Sequence, residues 1–288
     1  MTEAKPLVRN KIQGVRLTEK EPSATQWNTK YLGRRFMVDA ACAATAGGMV
    51  APLVVMIDKA IIENASGRRA MLPSIKSSFR TLLLRPHRYF TARPFLLIFG
   101  LYSSTYIAAN VVDTFKSTTN NKPASAVTSG PAKFLTTTSA NLGLSLYKDS
   151  QFTKMFGVAS SSRAIPPVTL ALFTIRDCCT IFASFNLPLI VAPHLPLTAA
   201  MEKYVNRASA AQFLCPAGIQ LISTNFHLLG LDYYNRKFGP VPFRNRLIKV
   251  WQDFPASAAA RMCRIVPAFG FGGVVNNGMR AKLMKGLE

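Results

Sequence analysis

Three times along this 288-residue chain an apolar stretch ends at an aspartate, and a second apolar stretch then begins at a proline. From the aspartate to the following proline the distance is 36, 17 and 35 positions in the three cases, so the second interval is the shortest. The pairs are Asp58 and Pro94, Asp149 and Pro166, and Asp232 and Pro267. An internal repeat constrains a fold more than any local motif, and this one predicts three units of two paired helices.

The composition favours a membrane protein over a soluble one. The chain is 49% hydrophobic and 17% charged, and its mean hydropathy is +0.17, which is more apolar than a usual soluble domain. The net charge of +22 gives an alternative, because soluble nucleic-acid-binding proteins are also strongly basic. We disfavour that alternative and expect no nucleic-acid partner, since the basic residues cluster between long, evenly paired apolar segments.

We therefore predict an all-α membrane protein with six transmembrane helices in three pseudo-repeats. The predicted helices cover about 37–62, 94–112, 133–148, 166–185, 208–231 and 262–279. The predicted regions are a basic polar arm at 1–36, repeat 1 at 37–115, a polar loop at 116–132, a shortened repeat 2 at 133–186, a connector at 187–207 and repeat 3 at 208–288. Pro52 lies inside the first helix and is expected to kink it without ending it.

The basic residues between these helices predict an orientation. The intervals after the first, third and fifth helices contain 18 Lys and Arg residues, whereas the two intervals on the opposite side contain five. Basic loops stay in the compartment from which a membrane protein inserts, so the side with 18 should face that compartment. The arm adds eight basic residues to the other side and weakens this prediction.

Two of the predicted helices carry polar groups that lipid would not tolerate. The third contains a hydroxyl-rich stretch at 136–139 and Asn141, so we expect it to face an aqueous cavity or other helices. The fourth contains Arg176 and Asp177, which are either functional intramembrane charges or an interhelical packing pair. Because adjacent residues do not share a helix face, each should meet a partner on another helix.

No motif in the sequence indicates an enzyme. The five cysteines form no C-x-x-C pair, and the three histidines are scattered, so neither a metal site nor a histidine-based triad can be assembled. Walker A, G-x-G-x-x-G and G-x-S-x-G motifs are also missing. We expect no catalytic residues, no metal site and no cofactor.

The three-unit pattern resembles the mitochondrial carrier family over roughly 37–285. The stretch 260–273 looks like the start of a carrier's sixth helix, and 74–82 looks like its surface helix, with apolar residues at Ile75, Phe79 and Leu82. The resemblance implies a multi-pass protein of a mitochondrial membrane, the inner membrane before the outer. It also implies contact with membrane lipids, cardiolipin among them.

Carriers close their two sides with acid–base pairs at the ends of helices, and this chain keeps only part of that pattern. All three acids of the odd-helix motif remain, while its prolines and bases are missing at the matching positions. The resemblance leaves open a moving gate or static salt bridges between repeats. The residues carried over for either role are Asp58, Asp149, Asp232, Asp113, Lys116 and Arg280.

Carriers hold their substrate with residues just before the prolines of the even helices. The resemblance, applied through the Arg-x-x-Pro motif, implies one substrate contact in each unit. These contacts are Thr91 or Arg93 in the first unit, Arg163 in the second and Arg264 in the third. Two arginines in one cavity would favour a small anionic substrate, above all a carboxylate, by bidentate pairing. The alternative is that these arginines cap loop ends or bind phospholipid head groups.

Together these features predict an alternating-access transporter of a small anionic metabolite. The alternative is a structural or interaction protein that keeps the carrier fold without transporting, for example a subunit of a larger membrane assembly with protein partners. The missing gate residues, the short second unit and the basic arm are the features that favour this alternative.

Overall fold

A computed structural model describes residues 27–128, 130–158, 164–196, 198, 207–236, 241–265, 267–268 and 272–288, and every regular element among them is helical. The elements are α1 (Leu32–Ala65), α2 (Met71–Leu84), α3 (Pro86–Phe90), α4 (Arg93–Thr119), α5 (Pro131–Phe156), α6 (Pro167–Phe185), α7 (Leu187–Val191), a 3-10 turn (Ala192–His194), α8 (Arg207–Gly218), α9 (Gln220–Asn235), α10 (Phe243–Ile265) and α11 (Gly272–Lys285). The all-α prediction is confirmed for these residues.

Three described segments are long and apolar enough to cross a membrane, namely α1, α4 and Pro167–Ser184 of α6. The shortest has 18 residues, and at 1.5 Å per residue it is about 27 Å long, close to the thickness of a bilayer's hydrocarbon core. These segments fit a multi-pass membrane protein. The prediction of six spans in three repeats goes beyond them and is not confirmed.

Several helices are longer than the apolar segments that predicted them. α1 begins at Leu32, inside the predicted arm, and continues to Ala65 with Pro52 within it. α4 continues to Thr119 and α5 begins at Pro131, so the polar loop is shorter than predicted. Polar side chains in the added turns, such as Arg35 and Asp113, pair with other helices, and hydropathy does not detect such turns.

The last two predicted helices correspond to two described helices each. The fifth, predicted at 208–231, consists of α8 and α9, which meet at a turn residue, Ile219. The sixth, predicted at 262–279, covers the end of α10 and the first part of α11. The predicted surface helix at 74–82 is present as α2.

Polar contacts between α1 and its neighbours show that it is antiparallel to α4 and α11. Asp39, near the start of α1, accepts a hydrogen bond from Thr114 near the end of α4, and it also accepts one from Arg280 near the end of α11. Gly47, further along α1, lies against Ser103, which is earlier on α4. We call the two ends of the bundle the Asp39 end and the Asp58 end, after the residues of α1 that lie there.

The other helices continue this alternation. Lys133 at the start of α5 pairs with Asp113 near the end of α4, so α4 and α5 are antiparallel and α5 is parallel to α1. α6 and α9 form another antiparallel pair, because the Thr169 hydroxyl donates to the carbonyl of Gly230 at 3.0 Å while Arg176 contacts the earlier residue His227.

Gly47→Ala is expected to destabilise the protein by about 1–3 kcal/mol. A Cβ on Gly47 would lie 2.2 Å from the Ser103 hydroxyl oxygen, so α1 and α4 would have to move apart. Gly48→Ala is the matched control, because the nearest atom to its Cβ would be a Phe99 ring carbon at 3.8 Å. Thermal unfolding in detergent checks this, and equal melting temperatures for the two variants would contradict the close approach of α1 to α4.

Candidate functional site

A cavity of about 200 Å³, lined by both polar and apolar residues, lies between α1, α4, α5, α6 and the ends of α10 and α11. Its charged lining residues are Asp58, Lys148, Asp177 and Arg264. Its uncharged polar lining residues are Tyr102, Thr105, Tyr106, Asn141, Ser145 and Thr180. Such a concave site with a few convergent polar groups is the usual form of a small-molecule site.

One end of this cavity is bounded by charged side chains from α1, α5, α6 and α10. We call this set the charged layer, and it consists of Asp58, Lys148, Asp149, Arg176, Asp177, Arg261 and Arg264. All are buried or nearly so; the most exposed side chain is that of Arg264, at 19%. Charges at such depth persist only when they are paired and hydrogen-bonded.

Asp58 joins three helices within the charged layer. Its Oδ2 accepts a hydrogen bond from Lys148 Nζ of α5 at 2.8 Å. Its Oδ1 accepts one from Arg264 Nη1 of α10 at 2.7 Å. Because the carboxylate belongs to α1, this bridge connects one helix from each of the three predicted repeats.

Arg176 of α6 connects the rest of the charged layer. Its Nη2 donates to Asp149 Oδ2 at 2.5 Å, and Asp149 also pairs with Lys148. Its Nη1 contacts Nδ1 of His227 on α9 at 2.9 Å, and its Nε donates to Asp177 Oδ1 at 2.9 Å. Arg176 thus meets partners on other helices, as predicted, whereas the described hydrogen bonds of Asp177 come from Arg176 on its own helix. The long, flexible arginine side chain can fold back to the neighbouring residue. Its five N–H groups allow it to contact Asp177 while it also pairs with Asp149.

Arg261 is the one basic residue of the charged layer without a carboxylate partner among the described residues. It is 2% exposed. Its Nε donates to Gln220 Oε1 at 3.1 Å, while its Nη2 has no partner in the described part of the chain. The layer therefore holds four basic and three acidic side chains. An unpaired buried charge is costly, so an added anion would be stabilised here.

A second buried polar cluster joins α1, α4 and α11 at the Asp39 end. Arg280 Nε donates to Asp39 Oδ1 at 2.7 Å, and both residues are 1% exposed. Thr114 donates to Asp39 Oδ2 at 2.5 Å. The amides of Asn110 and Asn276 bond to each other at 2.8 and 2.9 Å. At 1.5 Å per residue, Asp39 and Asp58 lie about 28 Å apart along α1, so this cluster and the charged layer occupy opposite ends.

The structure brings one of the predicted substrate contacts to the cavity. Arg264 lines it. Thr91 and Arg93 are exposed and lie elsewhere, because Thr91 bonds to the backbone of α3 and Arg93 donates to Gln151 at 2.7 Å. Arg163 lies outside the described residues.

The predicted gate residues separate into several clusters. Asp58 and Asp149 belong to the charged layer, and Arg280 belongs to the Asp39 end. Asp232 pairs with Arg246 Nη1 at 2.6 Å, linking α9 to α10 away from the cavity. Asp113 pairs with Lys133 Nζ at 2.6 Å, with Lys116 three residues further along α4.

Sequence reasoning missed Asp39 and Arg261. Asp39 lies inside a predicted transmembrane helix, and a charge in that position signals a functional or paired residue. Arg261 was counted among loop charges because α10 was not predicted to extend through it. By contrast, Asn141 lines the cavity, as expected from the polarity of the third predicted helix.

Comparison with known proteins corrects the family suggested by the helix pattern. The family model described as "Probable citrulline exporter" matches residues 42–284. It represents a distinct family, so the assignment to the mitochondrial carrier family is wrong. That assignment used the spacing of paired helices, while the prolines and bases that define carriers were already missing. The mitochondrial location and the cardiolipin contact lose the support that they drew from the resemblance.

No curated protein and no solved structure matches the chain. The match to the family model extends from Cys42 in α1 to Met284 in α11, which is most of the chain. The matched region includes every helix that lines the cavity. It also includes both buried polar clusters except Asp39, which precedes the match in α1. The chain belongs to the probable citrulline exporter family, which indicates a membrane transporter of a small metabolite.

Proposed function

We propose that this protein carries citrulline, or an amino acid of the same chemistry, across a membrane through the cavity next to the charged layer. Free citrulline is a zwitterion at neutral pH, with one carboxylate, one ammonium group and a neutral ureido side chain. The observation that supports the proposal is that one cavity is lined by two basic groups, two acidic groups and uncharged hydrogen-bonding groups. The simple anion expected from the sequence would leave the Asp177 carboxylate unused.

Arg264 is placed to bind the carboxylate. Among the described hydrogen bonds it uses only Nη1, which donates to Asp58. The guanidinium fork has further N–H groups that can pair with a carboxylate in a bidentate manner. The unpaired charge of Arg261, which lines a small void together with Arg264, adds to the attraction for an anion.

Asp177 is placed to bind the ammonium group. Its Oδ1 accepts hydrogen bonds from Arg176, whereas its Oδ2 is buried and has no partner among the described residues. A buried oxygen without a donor is costly, and an ammonium group can supply up to three donors. The two charged ends of an amino acid would then be held by α10 and α6.

Transport through this cavity requires the charged layer to open. The layer bounds the cavity toward the Asp58 end, and the Asp58–Arg264 pair belongs to both the layer and the cavity wall. A bound carboxylate competes with Asp58 for Arg264, so cargo binding weakens a contact between α1 and α10. A ligand that favours the state with this contact broken shifts the equilibrium toward it, as alternating access needs.

Purified protein in liposomes is expected to exchange external labelled citrulline for internal unlabelled citrulline with saturable kinetics. Asp177→Asn should lower the exchange rate by roughly tenfold or more, because a charged hydrogen bond to the ammonium group is lost. Asp253→Asn is the matched control, since Asp253 pairs with Lys249 at 3.0 Å and does not line the cavity.

The proposal fails if folded protein exchanges no amino acid at all. That outcome would favour the alternative in which the protein is a non-transporting component of a membrane assembly. Thermal unfolding of the same preparation in detergent establishes that the reconstituted protein was folded.

A further inference from the structure

We infer that the cavity also selects the side chain of its cargo, accepting a neutral group rich in N–H donors and rejecting a cationic one. This inference rests on the proposed function, because it concerns the same cavity and the same class of cargo. It assigns the selection to the part of the cavity wall formed by α4, α5 and α6, away from the charged layer.

A smaller void of about 120 Å³ continues the cavity in that direction. It shares Thr105, Asn141, Thr180 and Ile181 with the larger cavity, and Thr137, Thr138 and Ser184 complete its wall. We call this void the neutral pocket, because all of these lining residues are uncharged. All except the isoleucine carry a hydroxyl or an amide.

The surface of the neutral pocket is mainly apolar, and its hydroxyl groups act as hydrogen-bond acceptors. Thr105, Thr137, Thr180 and Ser184 each donate their hydroxyl proton to a backbone carbonyl four residues earlier in their own helix, at 2.8 to 3.0 Å. A hydroxyl that has donated its proton can only accept from a ligand. The polar atoms on this wall therefore suit an uncharged ligand group that brings N–H donors.

Two side chains of the neutral pocket keep hydrogen-bonding capacity. Asn141 Nδ2 donates to Thr105 Oγ1 at 3.3 Å, and its carbonyl oxygen accepts from no described group. The Thr138 hydroxyl is buried and has no partner among the described residues, so it can donate to a ligand carbonyl. A ureido group has three N–H donors and one carbonyl acceptor, which matches this set.

The same pocket disfavours a positive charge. Arginine has nearly the shape of citrulline but carries a guanidinium in place of the ureido group. None of the described residues that line the neutral pocket is a carboxylate. Moving a cation into a pocket without a counter-charge costs desolvation energy, so arginine and ornithine should be transported poorly.

Asn141→Asp is the decisive variant, because it places a carboxylate in the neutral pocket with almost no change in shape. The ratio of citrulline to arginine uptake efficiency in liposomes, measured as kcat/KM for each, is expected to fall by about tenfold or more. Arginine uptake should increase at the same time. Asn245→Asp is the control, since Asn245 is exposed in the first turn of α10 and adds the same charge outside the cavity.

Thr138→Val gives a second test that adds no charge. Loss of its hydroxyl should lower the uptake efficiency for citrulline by about fivefold. Thr136→Val is its control, because Thr136 is an exposed residue of the same helix whose hydroxyl bonds to the backbone.

The outcomes separate this inference from the proposed function. Wild-type citrulline transport with an unchanged ratio in Asn141→Asp would overturn the inference and leave the proposed function intact. No citrulline transport by folded wild-type protein would overturn both. If Asn141→Asp does not fold, Thr138→Val decides, and citrulline uptake equal to the wild type would overturn the inference.

Discussion

Arg280→Ala is expected to destabilise the protein by about 3–5 kcal/mol, a large part of the stability of a typical domain. Arg280 pairs with Asp39 where both side chains are 1% exposed. Its removal leaves the Asp39 carboxylate buried with Thr114 as its remaining described side-chain donor. The cost comes from this uncompensated charge more than from the lost attraction, since a buried charge without a partner keeps its full desolvation penalty.

Lys282→Ala is the matched control, because Lys282 is an exposed basic residue two positions further along α11. It should change the free energy of unfolding by less than about 0.5 kcal/mol. The double variant Asp39→Asn with Arg280→Met should recover much of the loss, since it removes both charges together. Denaturant unfolding in detergent measures all three. A loss below 1 kcal/mol in Arg280→Ala would show that Asp39 gains solvent or another partner.

This expectation distinguishes the two buried clusters by role. The polar cluster at the Asp39 end has no side chain among the described residues of the cavity wall, and its aspartate and arginine are almost completely buried. The charged layer contributes three residues to the cavity wall besides Asp177, which are Asp58, Lys148 and Arg264. Charges that contact a cavity can exchange partners with a cargo, whereas charges sealed between three helices mainly fix their packing. We therefore assign stability to the first cluster and cargo handling to the second.

The sequence predicted the existence of the long helices well and their ends poorly. Apolar runs of about 20 residues and prolines at helix starts identify helices without any tertiary information. The first residues of α1, before position 37, escaped prediction because Arg35 is buried and pairs with Ser117 of α4. A pairing between residues 82 positions apart cannot be detected in local hydropathy.

The candidate site was predictable only in part, for a similar reason. Arg264 was predicted as a substrate contact from the repeated Arg-x-x-Pro motif, although the family assignment used with that motif was wrong. Repeated helix pairs around a central site recur in many unrelated transporters, so such a pattern supports an architecture better than a family. The partners of Arg176, including Asp149 and His227, depend on how α5, α6 and α9 pack. One sequence does not contain that information in readable form.

Arg264→Ala is expected to lower citrulline uptake by about 100-fold or more while leaving the protein folded. The loss follows from removal of the bidentate partner of the cargo carboxylate, a charged interaction of roughly 3 kcal/mol. Folding should survive because Asp58 keeps Lys148 as a partner at 2.8 Å. Arg264→Lys should show an intermediate loss, since lysine keeps the charge but not the planar fork.

Arg93→Ala is the control, because it removes an arginine that the sequence predicted to bind substrate and that lies outside the cavity. Both arginines were predicted substrate contacts, but Arg93 is exposed and bonds to Gln151 outside the cavity, so its loss should leave uptake nearly unchanged. Thermal unfolding with and without citrulline provides a second readout, because a ligand that binds only the folded state raises its melting temperature. That shift should persist in Arg93→Ala and vanish in Arg264→Ala. Equal uptake by these two variants would remove Arg264 from the cargo site and, with it, the placement of the carboxylate beside the charged layer.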